Sequence, residues 1–409
     1  MKQHISNLVS MTQQLSSHLR CILTLSFIIY QLSYSVAQIS IGGNVYGGGN
    51  AGLTGGNTTV TVRAGDLNRV YGGARMANVG GRAFMNIDGA HASNYIVINR
   101  LYGGNDISGT IGTSNDELPD AVKAHAANNG VDKSWNALVL ISSKMTPAVK
   151  YTQAEIDAAQ EGDDAYGKTT DDIKTPATIA GDNKPIYIGQ LFGGGDGEYE
   201  YGSRQETTGE GDEAVTTTVY YAKENNEIVA TSNTPLSVPD LGKTFVDIHG
   251  GSIVYAYGGG NNATVTESTV ISVDNPSEVV NSITDASNPN AGANGELLTN
   301  DRFEKKMGIN TTFSYPSSDA YQIGRMFGGN NKADMAIRPR WNLQRGRIRN
   351  LYGGGNEGRM TSPEGLLLQI EGTGMVVDNV YGGCRKADVK PLDEDGKLVP
   401  YNKVKLPDK

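Results

Sequence analysis

The sequence predicts an all-β solenoid, one supersecondary unit stacked on copies of itself. Three observations carry this. An apolar residue, then Tyr or Phe, then Gly-Gly recurs eight times in 409 residues, with the aromatic at Tyr46, Tyr71, Tyr102, Phe192, Tyr257, Phe327, Tyr352 and Tyr381. Gly supplies 53 residues, close to twice the usual share of about 7%. Period-two runs accompany the motif, such as Thr-Val-Thr-Val at 59–62 and Phe-Val-Asp-Ile-His at 245–249, and these read as half-buried strands. Regular apolar spacing argues against disorder. The lack of a G-X-Y period excludes collagen.

Residues 1–37 read as a signal peptide. Lys2 and Arg20 are basic, no acidic residue precedes Asp66, an apolar run fills 21–30, and Ser35-Val36-Ala37 places cleavage after Ala37. The run is too short to cross about 30 Å of hydrocarbon, so the mature chain is expected to be secreted or held at the outer cell surface without spanning a membrane. Cleavage takes two of 35 basic residues and none of 44 acidic ones, moving the net charge from -9 to -11. That balance excludes nucleic acid as a partner. Cys21 leaves with the leader and Cys384 stands alone, so no internal disulfide is expected.

The repeat body spans 38–390. Motif aromatics are 25 to 31 residues apart where the spacing is short, enough for one three-strand turn. Longer spacings leave polar loop insertions at about 112–184, 197–240 and 275–320. Within a turn, a strand is followed by a corner glycine (Gly65, Gly89, Gly250, Gly372). Apolar residues three apart come next, such as Leu67 and Val70 or Ile253 and Ala256, a spacing that implies a bend or bulge. The Gly-Gly pair is expected to supply left-handed backbone angles and close chain approach. The aromatic before it is expected to stack on its counterpart in the next turn.

Asn or Asp closes six of the motifs, at Asn50, Asp106, Asp196, Asn261, Asn331 and Asn356, while Arg75 and Arg385 close the others. Stacked turns would make these a ladder of amides. No cofactor is expected, with a Ca²⁺ row as the alternative reading. In the first insertion, Thr152-Gln153-Ala154-Glu155 is a capping box that predicts one short helix. Residues 391–409 form a polar C-terminal segment.

These recurrent units behind a secretion signal resemble bacterial secreted and surface repeat proteins of the adhesin-like, autotransporter-like and pectin-lyase-like kind. The resemblance implies a right-handed parallel β-helix. Polysaccharide lyases and glycosidases share that shape, so an enzyme of this kind would carry carboxylates at defined separations. Aligning the strands puts Thr61, Asn86, Asp247, Ser272 and Gln369 in one outward column, and Arg63, Asp88, His249, Asp274 and Glu371 in another. Asp247 with Asp274, or Asp88 with Glu371, would be the catalytic pair of an enzyme, with His249 as a base.

Outward polar residues are equally what a solvent-facing sheet requires, and no spaced metal motif, nucleophile elbow or phosphate loop occurs. His91 and His125 read as loop residues without spaced partners. The favoured reading is therefore a non-catalytic adhesin or glycan binder with a glycan or a host surface protein as partner. Tyr199, Tyr201, Tyr220 and Tyr221 of the second insertion are its contact residues. A carbohydrate-active enzyme is the first alternative and a structural stalk the second. Exposed end strands make self-association an expectation.

Overall fold

Successive strands of the chain alternate between two wings of one large parallel sheet. The computed structural model describes residues 39–406, except 93–95, 143–144, 147–148, 171–172, 176–177, 180–185, 276–322, 373, 390–394, 396 and 398–401. The expected signal peptide and almost all of the insertion at 275–320 lie outside the described residues. Among the described residues no helix is long and apolar enough to cross a membrane.

The first wing stacks Ser40–Tyr46, Gly65–Tyr71, Ile96–Tyr102, Ile186–Phe192, Ser252–Tyr257 and Ile323–Phe327. The second stacks Thr58–Val62, Ala83–Asp88, Ala137–Ser142, Asp240–Ile248 and Thr264–Asp274. Arg340–Tyr352 belongs to both, pairing with Thr264–Asp274 through its first half and with Ile323–Phe327 through its second. Gly374–Tyr381 pairs with that second half. Every one of these pairings is parallel, and strands that are neighbours in a wing are consecutive in sequence for that wing.

Parallel register explains the core. Val60, Met85, Val139, Val246 and Ile271 form one inward row, and Val70, Leu101, Leu191, Ala256, Met326 and Leu351 form the row facing it, all in one buried cluster. Each such aliphatic side chain contributes about 1.5–3 kcal/mol on burial. The spacing of three is a shared bend. Leu67 pairs with Ile98 and Arg69 with Arg100, and the same step recurs between Ile188 and Gln190, so the strands stay in register across it. Only Ser40–Tyr46 shifts register there.

All eight motif aromatics form one continuous stack. Neighbouring ring centroids are 4.7 to 5.1 Å apart and the rings are within 10° of parallel. The interval matches the strand spacing of about 4.8 Å. It exceeds the contact distance of about 3.5–4.0 Å, so parallel rings must slide over one another, the offset geometry that aromatic quadrupoles prefer.

The Gly-Gly pairs continue the ladder beyond the rings: Gly103 N–H donates to Phe192 O at 2.9 Å and Gly104 N–H to Gly194 O at 3.0 Å. None of these glycines has a positive φ, whereas the expected corner residue Gly65 does, at +123°, and at the Gly250 corner it is the next residue, Gly251, that does, at +81°. The expectation of left-handed backbone at the motif is thus corrected. Close approach alone demands glycine there, since a Cβ on Gly103 would meet Gly193 O at 2.3 Å.

The outward face of the second wing departs from the expected solvent-facing sheet. Phe84, Leu138, Phe245 and Val270 form an apolar outward row in register. Val122, Ala126, Val131 and Trp135 of the first insertion cover it. That cover includes a helix, Asp120–Ala126, which the sequence reading missed. The expected helix is also present at Gln153–Ala158, with Thr152 and Glu155 making the reciprocal capping box. The second insertion is a three-stranded antiparallel sheet of Glu200–Thr208, Val215–Glu224 and Glu227–Ser232. In the C-terminal segment, Asn402–Lys405 pairs with Leu366–Gln369.

Candidate functional site

Register brings most of the second outward column together. Asp88 pairs with Ser142, and Asp274 with Arg345. His249 N–H donates to Ile141 O at 2.8 Å, which seats His249 between Ser142 and Asp274. A cleft of about 610 Å³ opens along this row, lined by Arg63, Asp88, His91, His125, His249, Asp274 and Arg345 among others. Arg63 Nε donates to Asp88 Oδ2 at 2.8 Å, and Arg345 forks onto Asp274 at 2.5 and 3.1 Å. Burial opposes the Asp88 charge, but hydrogen bonds from His91 and Arg63 outweigh it and hold the carboxyl below its ordinary range.

His249 is buried, with its Nε2 2.8 Å from Asp247 Oδ1. The expectation of an exposed strand histidine is corrected, because the helix cover lies over it. His125, read from sequence as an isolated loop residue, is on that helix, and its ring lies 4.2 Å from that of His249. Burial disfavours the charged His249 ring, yet the Asp247 hydrogen bond and charge, with Asp274 beyond, raise its pKa overall. The ligand-capable atoms of His125, Asp247 and His249 all lie within 4.8 Å of one another, the one such triplet among the described residues. Distance in sequence hid it: the residues come from a helix and a strand more than a hundred positions apart.

The carboxylate pairs considered for glycoside hydrolysis are not brought to one sugar. The Asp247 side chain is fully buried. Glu371 is exposed, bonded to Gln369, and neighbours Gly372, whose amide donates to Leu343 O at 2.8 Å on the strand carrying Arg345. It therefore lies at the opposite end of the row from Asp88. Five strand steps of about 4.8 Å each, four to the strand carrying Arg345 and one more to the Glu371 segment, exceed the roughly 5–9.5 Å that glycosidase carboxylates need.

From Asp196 onward the motif-closing polar residues form the expected ladder, whereas Asp106 accepts from Tyr46 and Tyr199 instead. Asn261 donates to Asp196 Oδ1 at 2.8 Å, Asn331 to Asn261 at 2.7 Å, Asn356 to Asn331 at 2.7 Å and Arg385 to Asn356 at 3.2 Å. Its polarity follows from its ends. An ionised carboxylate only accepts and a guanidinium only donates, so each amide turns its nitrogen toward Asp196, and such chains polarise cooperatively.

Burial raises the pKa of Asp196, Asp106 adds to that, and Asn261 opposes it. A raised folded pKa means stability present below the unfolded value of about 3.9 and lost as pH rises through the folded value. Asp196→Asn, which extends the ladder without the charge, is therefore expected to melt above the wild type at neutral pH. That gap should close as pH falls toward about 4, which thermal melting across a pH series checks.

A second cleft, of about 600 Å³, lies between the antiparallel insertion and the first wing. Arg69, Arg100, Lys223 and Lys332 line it with Glu198, Glu200, Glu224 and three asparagines. Arg69 bonds Glu224 at 2.6 Å, Lys332 bonds Glu198, and Lys223 lies 3.6 Å from Glu200. Asn225 and Asn226, at φ 54° and 66°, make the tight turn that sets the cleft's rim.

The four expected contact tyrosines divide. Tyr199 donates to Asp106 Oδ1 at 2.5 Å and Tyr201 to Ile107 O at 2.6 Å, so both anchor the insertion to the sheet. Tyr220 and Tyr221 are half-buried within the insertion, where Tyr221 covers Gly202 across the strand pair.

Compared with known protein families, with curated proteins and with solved structures, the chain finds no match in any of the three.

Proposed function

We propose that this chain is an exported right-handed parallel β-helix of the surface-adhesin kind that binds a glycan without turning it over. The alternation of strands between two wings, the in-register aromatic stack and the amide ladder support the β-helix reading. The observation that carries the binding reading is the cleft beneath the antiparallel insertion. Its wall combines guanidinium, ammonium, carboxylate and amide groups on a rigid sheet, the planar polar groups that recognise hydroxyl-rich ligands. Three of its four cations sit beside carboxylates. The cleft therefore lacks a single-sign field and suits a neutral sugar better than a polyanion.

The test is a glycan array on the purified protein, followed by titration of Arg100→Ala and by an assay for reducing or unsaturated sugar products. A hydrogen bond to a charged group is worth about 1.5–3 kcal/mol, so Arg100→Ala should weaken binding roughly ten- to hundredfold without product release. Unchanged binding in that variant would sink the assignment of this cleft, and turnover would move the protein to the enzyme class.

A further inference from the structure

We propose that His125, Asp247 and His249 form a site for a divalent transition metal of the zinc class, opening into the cleft on the second wing. The sugar reading plays no part in this, since that reading concerns the other cleft. Three observations coincide. The ligand-capable atoms of the three residues lie within 4.8 Å of one another. Asp247 is fully buried, and while its Oδ1 meets His249, its Oδ2 has no hydrogen-bond partner among the described residues. His125 and His249 both line the cleft, so the triplet has a face toward solvent.

A buried carboxylate oxygen left without a donor is strongly unfavourable as an ion, and a bound cation removes that penalty. Two imidazoles and one carboxylate match zinc and its transition-metal neighbours, whereas Ca²⁺ and Mg²⁺ favour all-oxygen shells. Three protein ligands with a solvent-facing side leave a coordination position for an exogenous ligand. Ligand atoms around tetrahedral zinc, bonded at about 2.0–2.2 Å, are wider apart than the 2.8 Å between Asp247 and His249. That pair must open slightly while His125 closes in. His125 is half-buried in the last turn of a short helix, and its side chain has rotamer freedom for the move.

The test uses the untagged full chain stripped with a chelator. Zn²⁺ is titrated against a chromophoric competitor, and Co²⁺ absorption reports the ligand field. His125→Ala should keep the circular dichroism of the wild type and lose at least about 100-fold in Zn²⁺ affinity, the upper end of what removing an outer partner of a metal ligand costs. The shape-conserving Asp247→Asn should lose affinity likewise. His91→Ala, in the same cleft but outside the triplet, should bind as the wild type does, and excess Ca²⁺ should not displace the metal. No Zn²⁺ uptake by the wild type, equal affinity in His125→Ala, an equal loss in His91→Ala, or displacement by Ca²⁺ would each overturn the site.

Discussion

Gly193→Ala is expected to abolish folding. The added methyl would lie 2.2 Å from Gly258 O and 2.8 Å from a Val246 methyl. The carbonyl is backbone, held in the ladder that carries the aromatic stack, and it cannot move without separating the Gly193 amide from Tyr257 O, now at 3.0 Å. The site is also interior: further strands lie on both sides of Ile186–Phe192 in its wing. Steric overlap and a broken ladder bond together place the change beyond the 4–5 kcal/mol or so that marks exceptional single mutations. Gly55→Ala is the matched control, because its added methyl would meet nothing within 4 Å. It should stay within about 0.5 kcal/mol of the wild type. Soluble yield and urea midpoints distinguish the two, and a folded, wild-type-like Gly193→Ala protein would mean that the glycine pairs are not sterically required.

What the sequence made legible was whatever repeats in register. The aromatic positions could be aligned because each is tied to its own Gly-Gly, and the outward columns because strands of period two keep their phase. Thr61, Asn86, Asp247, Ser272 and, one pairing step on, Asp88 and Asp274 accordingly fall where the alignment put them. Gln369 and Glu371 do not line the cleft, which ends at Arg345 on the strand before them.

Contacts between the insertions and the sheet were illegible, because nothing periodic records them. Burial of Asp247 and His249 depends on a helix from 120–126, far from either in sequence. One signal was present: Ala137–Ser142 reads Ala-Leu-Val-Leu-Ile-Ser without alternation, and an uninterrupted apolar run in a parallel sheet means cover on both faces. Extending that inference to the aligned strands would have marked the face as covered and His249 as buried. The anchoring role of Tyr199 and Tyr201 had no such signal, because their acceptors belong to Asp106 and Ile107 in the preceding turn region.

Phe192→Ala should remove about 3–5 kcal/mol by cavity formation alone. It also deletes two stacking contacts, at 4.8 Å to Tyr102 and 4.7 Å to Tyr257, each worth about 0.5–1.5 kcal/mol beyond burial. Phe192 is fully buried, so solvent cannot compensate. Position in the stack matters as much as size. Tyr381 is at its end, 44% exposed and with one ring neighbour, Tyr352 at 4.7 Å. Tyr381→Ala should cost far less, near the 1 kcal/mol or so of an average mutation.

The two variants should also differ in cooperativity. Where stability is a sum of units and nearest-neighbour interfaces, a weak interior interface uncouples the segments on either side. Phe192→Ala is therefore expected to broaden the urea transition or split it in two, while Tyr381→Ala shifts a single transition slightly. Equal losses at both positions would mean that the rings act as independent buried side chains, and the coupling attributed to the continuous stack would have to be abandoned.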